Sequence, residues 1–248
     1  MIILVTGATA GFGLAIARRF AANGARIIAA GRRAERLAGL QAELGEAVFP
    51  LSLDVRDRDA VAAAVAGLPP EWAAIDLLVN NAGLAVGVSP AQSADLDDWD
   101  RMVDTNIKGL MYMTRAVLPG MVERGRGHVI NIGSTAGEFP YPGGNAYGAS
   151  KAFVRQFSLN LRADLYGTPV RVTEIEPGLV GGTEFSNVRF KGDDAKAAGI
   201  YEGADALTAE DVADAVHWAA SRPARVNINV LQLMPVCQSF GPLRIHKR

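Results

Sequence analysis

The sequence predicts an α/β fold: one doubly wound parallel sheet of about seven strands, with helices on both faces. Three observations carry this. Short apolar runs of strand length alternate with segments whose apolar residues recur every three or four positions. The first run ends in a glycine-rich turn that leads directly into a helix. No repeat, linker or low-complexity tract divides the 248 residues, and 49% hydrophobic content suffices for one sizeable core. A single domain over 1–248 is expected.

Residues 1–5 (MIILV) form a continuous apolar run, as a strand buried on both faces requires. They enter Thr6-Gly7-Ala8-Thr9-Ala10-Gly11-Phe12-Gly13, then a helix over 14–22 that Gly24 stops. Gly7 permits a tight turn, Gly11 lets the backbone approach a pyrophosphate, and Gly13 suits close helix packing. The helix amino terminus offers free N–H groups and positive potential to phosphates. The next strand, 26–30, ends in Gly31-Arg32-Arg33. A site for NAD commonly places an acidic residue here, for the ribose hydroxyls. Two guanidinium groups instead suit a 2′-phosphate, which points to NADP. The alternative, two solvated charges, sits poorly at a helix start, where cations are disfavoured.

A helix ending at Leu44, before Gly45, precedes a strand over 47–53 and then Asp54-Val55. Asp54 could accept from an adenine amino group, or cap a helix beginning near Arg56, with 58–68 helical. The strand over 75–79 is followed by Asn80-Asn81-Ala82-Gly83, whose amides can stitch backbone groups while the small residues admit a cofactor. A long helix starts between Ser93 and the acids Asp95, Asp97 and Asp98. Met102, Asn106, Leu110, Met113 and Val117 mark its buried stripe, and Asn106 is either a satisfied core amide or part of a site.

The strand over 128–132 leads into an irregular loop and then a helix from Asn145. Ser134 lies just past the strand's carboxyl end, where open α/β sheets build their sites. Tyr147 and Lys151 are four apart and share a helix face. A free phenol titrates near ~10, and a neighbouring ammonium favours its ionised form. A serine hydroxyl beside it could hold a substrate oxygen, so the trio suits proton transfer to or from a hydroxyl or carbonyl. The Tyr-x-x-x-Lys spacing alone carries little information. The strand over 170–175 runs into Glu176-Pro177-Gly178-Leu179-Val180-Gly181-Gly182-Thr183-Glu184-Phe185, which can wrap a ligand. Residues 186–203, with Arg189, Lys191 and Lys196, read as a mobile flap. Thr208-x-x-Asp211 resembles a capping box opening a helix to 221. A final strand over 226–234 and a tail without period, 235–248, complete the chain.

Composition narrows the function classes. A net charge of −1 argues against a nucleic-acid or anionic-membrane surface. The single Cys237 rules out an internal disulfide, fits a reducing compartment and reads as a small buried side chain. His128, His217 and His246 lack metal-ligand spacing, so no metal is expected. No run reaches membrane-spanning length and the first residues already read as strand, so a cytoplasmic protein is expected.

Four motifs coincide in order: Thr6-Gly7-x-x-x-Gly11-x-Gly13, Asn80-Asn81-Ala82-Gly83, Ser134…Tyr147-x-x-x-Lys151, and Pro177-Gly178. Together they resemble the short-chain dehydrogenase/reductase family across essentially the whole chain. The resemblance implies a Rossmann-like domain and an NADP-dependent oxidoreductase acting on CH–OH groups. It implies Tyr147 as general acid/base, and Lys151 as the residue that lowers its pKa and binds the nicotinamide ribose. By the same resemblance Ser134 positions the substrate oxygen, and Asn106 holds a water that connects Lys151 to solvent. Residues 7–12, Asp54, Val55, Asn81 and 177–185 match its cofactor contacts. Thr183 departs from the pattern, standing one position later than in many members. Stretches 112–124, 145–162 and 176–196 narrow the likeness to members that oxidise the 3-hydroxyl of serine, allo-threonine or 3-hydroxyisobutyrate and reduce malonic semialdehyde. They imply a homotetramer with the tail packed on a neighbour.

A buried substrate carboxylate needs a cation, and Arg189, ahead of Lys191, is the candidate because its fork matches the anion. The alternatives are a reductase of other ketones or acyl thioesters and a non-catalytic NADP-binding sensor. The intact Ser134, Tyr147 and Lys151 argue against the sensor.

Overall fold

The computed structural model describes residues 1–240. Its strands are β1 (Ile2–Thr6), β2 (Arg26–Gly31), β3 (Val48–Ser52), β4 (Leu77–Asn80), β5 (His128–Ile132), β6 (Arg171–Pro177) and β7 (Val230–Leu233). They form a seven-stranded, wholly parallel sheet in the order β3-β2-β1-β4-β5-β6-β7. This is the expected doubly wound architecture. The order reverses between β1 and β4, where open α/β sheets form a crevice beyond the carboxyl ends.

The helices are α1 (Gly11–Ala21), α2 (Ala34–Leu44), α3 (Arg58–Ala66), α4 (Leu96–Val103), α5 (Leu110–Glu123), α6 (Asn145–Asp164), α7 (Phe185–Arg189), α8 (Asp194–Gly199) and α9 (Ala209–Ala220). Alternation along β1 divides the core. Ile3 and Val5 pack with Ile16 and Phe20 of α1, Leu37 of α2 and Val216 of α9. Leu4 faces the other layer, with Val61 of α3, Met113 of α5 and Leu161 of α6. The capping box at Thr208 and Asp211 is present in full.

Several boundaries differ from expectation for identifiable reasons. Asp95, not Ser93, caps α4, accepting from Asp97 N, and Ser93 closes a separate 3₁₀ turn. The long helix is interrupted by a π-helical turn, Asp104–Gly109, which carries Asn106. The flap at 186–203 contains two short helices, and its carbonyl at Arg189 accepts from Gly87 N at 2.9 Å. The last strand covers only Val230–Leu233. Before it the Asn227 side chain takes both ladder positions beside Val172, donating to its carbonyl and accepting from its N–H, each at 2.8 Å. Cys237 is exposed rather than buried, because the segment after β7 runs outside the sheet, and its thiol meets Asp205 O at 3.4 Å. Residues 241–248 of the expected tail lie outside the described residues.

Among the described residues no helix is long and apolar enough to cross a membrane, and no cluster of metal-ligating side chains occurs.

Candidate active site

The crevice between β1 and β4 opens into a cleft of about 360 Å³, bounded by the glycine turn, Arg32 and Arg33, Asp54–Arg56, Asn81–Leu84, Tyr147, Lys151 and Thr183–Phe185. Its floor is the amino end of α1. No side chain caps that end and no acid stands in its first turn. Unpaired N–H groups and the positive end of the helix dipole therefore face the cleft, an arrangement suited to phosphate. Gly7 holds φ at +68°, a left-handed conformation costly to other residues. Gly13 is demanded by contact: an added Cβ would fall 2.7 Å from the carbonyl carbon of Gly7 and strike its oxygen.

Asn81 fixes this turn from the next strand, donating to Thr6 O at 2.8 Å and Gly7 O at 3.3 Å. The Thr6 hydroxyl in turn accepts from the N–H groups of Asn81 and Ala82. Asn81 is thus a scaffold for the cofactor loop as well as part of the cleft wall. Ala8, expected among the cofactor contacts, is fully buried with its N–H bonded to Ala30 O. Its place in a parallel strand-end ladder keeps it from the cleft.

The two arginines separate in role. Arg33 donates to Thr9 Oγ1 at 3.0 and 2.8 Å and pairs with Glu184 at 2.8 Å. Arg36, one turn along α2, also pairs with Glu184, at 2.7 Å. Sequence reasoning missed Arg36, although its i+3 spacing from Arg33 was a signal. Arg32 is exposed on the cleft wall with no hydrogen bond or ion pair among the described residues. Asp54 is not the cap of α3, whose cap is Asp57. It forms a bidentate pair with Arg56, whose guanidinium holds the Asp54 carboxyl below the usual range. Val55 lines the cleft beside it.

The 177–185 segment divides. Thr183, Glu184 and Phe185 reach the main cleft, while Gly181 and Gly182 line an adjoining hollow. Leu179 and Gly181 are pinned by backbone bonds to Leu207, and Leu179 N donates to Gln238 Oε1 at 2.7 Å. The later position of Thr183 still brings it to the glycine turn: a Cβ on Gly11 would lie 3.5 Å from Thr183 Cβ.

Tyr147, Lys151 and Ser134 come together as the spacing predicted. Tyr147 sits in the first turns of α6, buried, with its ring edge-on to Phe185. Burial pushes its phenol up to about 12, while the Ser134 hydroxyl and the more distant Arg189 pull it down. Lys151 is buried, donates to Ile132 O at 2.8 Å and stands 5.9 Å from the Tyr147 ring centroid. Burial brings its ammonium down to about 8. Burial of the phenolate is thus the largest influence on the Tyr147 phenol. Ser134 accepts from Ala136 N at 3.1 Å, which fixes its hydroxyl at the start of a 3₁₀ turn.

Asn106 is buried and fully occupied. Its amide exchanges two 2.9 Å bonds with the backbone of Leu84 and donates a third, also 2.9 Å, to Ser150 Oγ. Asn106 Oδ1 and Lys151 Nζ flank Gly83, at 3.3 and 3.5 Å from where a Cβ would stand. Arg189 reaches in from α7. Its Nη2 donates to the Tyr141 hydroxyl at 2.8 Å, its guanidinium lies 6.0 Å from the Tyr147 ring centroid, and its buried Nε has no partner among the described residues. Lys191 is committed elsewhere, pairing with Asp98 at 2.7 Å and Asp95 at 3.3 Å. Tyr141 was missed by sequence reasoning, since nothing local to it marks the contact.

Comparison with known proteins agrees with this arrangement. The family described as short chain dehydrogenase matches residues 1–194. The NADP-dependent 3-hydroxy acid dehydrogenase YdfG of Salmonella typhi is 66% identical over 247 residues, covering 100% of both chains. The serine 3-dehydrogenase of Rhizobium radiobacter is 52% identical over 245 residues, covering 99% of this chain and 98% of its own. A solved structure, the closed form of serine dehydrogenase complexed with NADP+, superposes over the whole of both chains with a TM-score of 0.99 at 64% identity. Motif order, a parallel seven-stranded sheet and full-length identity all lead to one assignment: the chain belongs to the short-chain dehydrogenase family.

Proposed function

We propose that this chain is an NADP-dependent dehydrogenase that oxidises the 3-hydroxyl of small 3-hydroxy acids, such as serine, allo-threonine and 3-hydroxyisobutyrate. In reverse it would reduce carbonyls of the malonic semialdehyde type. The observation that carries the substrate class is Arg189: a cation with an unpartnered buried Nε beside Tyr147, where a carboxylate two carbons from the reacting carbon needs a partner. The names of the full-length relatives support both the cofactor and the hydroxy acid.

The residues present fit NADP. The uncapped end of α1 suits the pyrophosphate, and Arg32, without a partner among the described residues, suits the 2′-phosphate. Asn81, Thr183 and Phe185, which line the cleft, would meet its nicotinamide end, and Asp54 and Val55, also lining it, its adenine end. NADP, when bound, supplies the hydride acceptor for oxidation or the donor for reduction. The chain's residues then manage the proton and the substrate's position. Ser134 holds the substrate oxygen and Tyr147 exchanges the proton with it. A phenol kept neutral by burial is ready to donate during reduction. During oxidation it must ionise, and the Lys151 ammonium is the nearest positive charge of α6 able to favour that. Asn106 and Lys151, both close to Gly83, suit a proton path away from the site. Phe185 and Tyr141 pack around Tyr147.

Initial rates with NADP+ and NAD+ over a panel of 3-hydroxy acids, their methyl esters and simple secondary alcohols test the reading. Activity with NADP+ confined to the free acids supports it. Equal activity on esters would favour the carbonyl-reductase alternative, and no turnover at all would favour the sensor. The resemblance also implies a homotetramer, which the mass of the protein in solution checks.

A further inference from the structure

A carboxyl that the mechanism leaves unused lies behind Lys151. Glu174, midway along β6, is wholly buried, and neither of its oxygens has a hydrogen-bond partner among the described residues. The sheet places it between Asn131 of β5 and Val230 of β7. Its side chain reaches over Gly133, where an added Cβ would fall 2.9 Å from the Glu174 carboxyl carbon. The preceding residue, Ile132, is where the Lys151 ammonium is anchored. Ammonium and carboxyl therefore rest against consecutive residues at the end of β5.

The periods of helix and strand match here. Lys151 and Arg155 are four apart on α6, and Glu174 and Glu176 are two apart on one face of β6. The outer pair is closed. Arg155 donates to Glu176 at 2.8 and 3.1 Å and to Glu138 at 2.7 Å, and Gln232 adds a bond to Glu176 at 2.9 Å. The inner pair has no direct bond, since Lys151 donates to a backbone carbonyl instead. A buried carboxyl left without partners in a native fold calls for an explanation.

We propose that Glu174 is a positioning residue for Lys151: its buried, unpartnered carboxyl, set against the residue next to the one that anchors the ammonium, supports the charged form of Lys151. The proposal rests on the placing of Lys151 beside Tyr147. Burial, then the charge of Glu176, push the Glu174 carboxyl far above the usual carboxylate range, against Arg155 and Lys151. Burial lowers Lys151, and Glu174 is the group that opposes that lowering. Two such neighbours titrate as a unit: once the carboxyl ionises, the ammonium beside it is harder to deprotonate. The charged groups facing Glu174 are Lys151 and Arg155 from α6 and Glu176 from its own strand. From β5 and β7 the neighbours are Asn131, Gly133, Val230 and Gln232, none of which titrates.

The test follows the ¹³Cε signal of Lys151 by NMR in lysine-labelled protein, assigned by its loss in Lys151→Arg. In Glu174→Gln, Lys151 is expected to lose its proton about one pH unit earlier than in the wild type. Glu174→Asp, which keeps a carboxyl, is expected to restore the wild-type titration. Should Glu174→Gln not fold, Glu174→Ala carries the same expectation. The alkaline fall in kcat/KM for 3-hydroxy acid oxidation should move with the NMR titration. An unmoved Lys151 titration in Glu174→Gln overturns the proposal, whatever happens to activity. A moved titration in a protein inactive on every hydroxy acid would leave this coupling standing and overturn the substrate reading instead.

Discussion

Arg33 and Glu184, far apart in sequence, form an ion pair of 2.8 Å across the mouth of the cofactor cleft. The pair is partly exposed, so by itself it contributes at most about 1 kcal/mol. Its value is positional, because it joins the strand that ends in the two arginines to the loop that precedes the flap.

Arg32 and Arg33 should therefore give different phenotypes. Arg32→Ala is expected to raise the KM for NADP+ by roughly 10- to 100-fold, the loss of a charge-assisted phosphate contact, with NAD+ use unchanged. Arg33→Ala also releases Thr9 and Glu184, so both cofactors should suffer. Steady-state KM values for the two cofactors decide this, and equal losses in Arg32→Ala would remove Arg32 from the phosphate site.

Tyr147→Phe keeps the ring that packs against Phe185 and removes the hydroxyl. The variant should fold, retain NADPH binding by fluorescence, and lose at least about 10²-fold in kcat. Near-normal turnover would end the assignment of Tyr147 as acid/base.

Arg189→Met should lower kcat/KM on 3-hydroxyisobutyrate about 10²-fold or more, and on its methyl ester far less. Lys191→Met, which breaks only the pairs with Asp95 and Asp98, should treat acid and ester alike. The same factor for acid and ester in Arg189→Met would show that the guanidinium does not read the carboxylate.

Gly13→Ala places a methyl against the Gly7 carbonyl. The turn must shift, so NADP+ binding should weaken by at least about tenfold in equilibrium titration, while the circular dichroism spectrum stays that of the wild type. Unchanged affinity would show that the turn can yield.

His128, buried in β5, is pushed down to about 3 by burial and then by Arg171. A histidine whose folded pKa lies below its unfolded value stabilises fully above the unfolded pKa, near ~6.5. That contribution is lost as pH falls from there toward 3, by at most about 5 kcal/mol. His128→Gln should flatten the decline of Tm between pH 6.5 and 4, whereas an identical decline would assign acid lability to the carboxylates.

Local signals in the sequence reported well. The run at 1–5 and the glycine turn identified β1 and α1, and Thr208 with Asp211 marked the start of α9. The grouping of Ser134, Tyr147 and Lys151 was legible because helix spacing and strand end are themselves local. Contacts between distant segments were not. Nothing near Tyr141 announces Arg189, and Asn227 delays the start of the strand expected over 226–234 by imitating a strand with its side chain. Cys237 was misjudged because burial is a tertiary property that residue type only suggests. The two acids in the strand Arg171–Pro177 were visible all along, and only the fold shows that they face Lys151 and Arg155.

The π-helical turn at Asp104–Gly109 has a consequence for how such a site can arise or be lost. A wide turn holds one residue more than an α-helical turn and shifts the phase of all that follows by about 100°. Asn106 within it and Leu110 and Met113 after it are all buried, so both the amide and the seam of α5 are fitted to the turn as it stands. Removing a single codon there would straighten the rod and swing either Asn106 or the apolar seam of α5 away from its partners. The placing of this amide therefore depends on the number of residues in the turn as well as on the residue at 106.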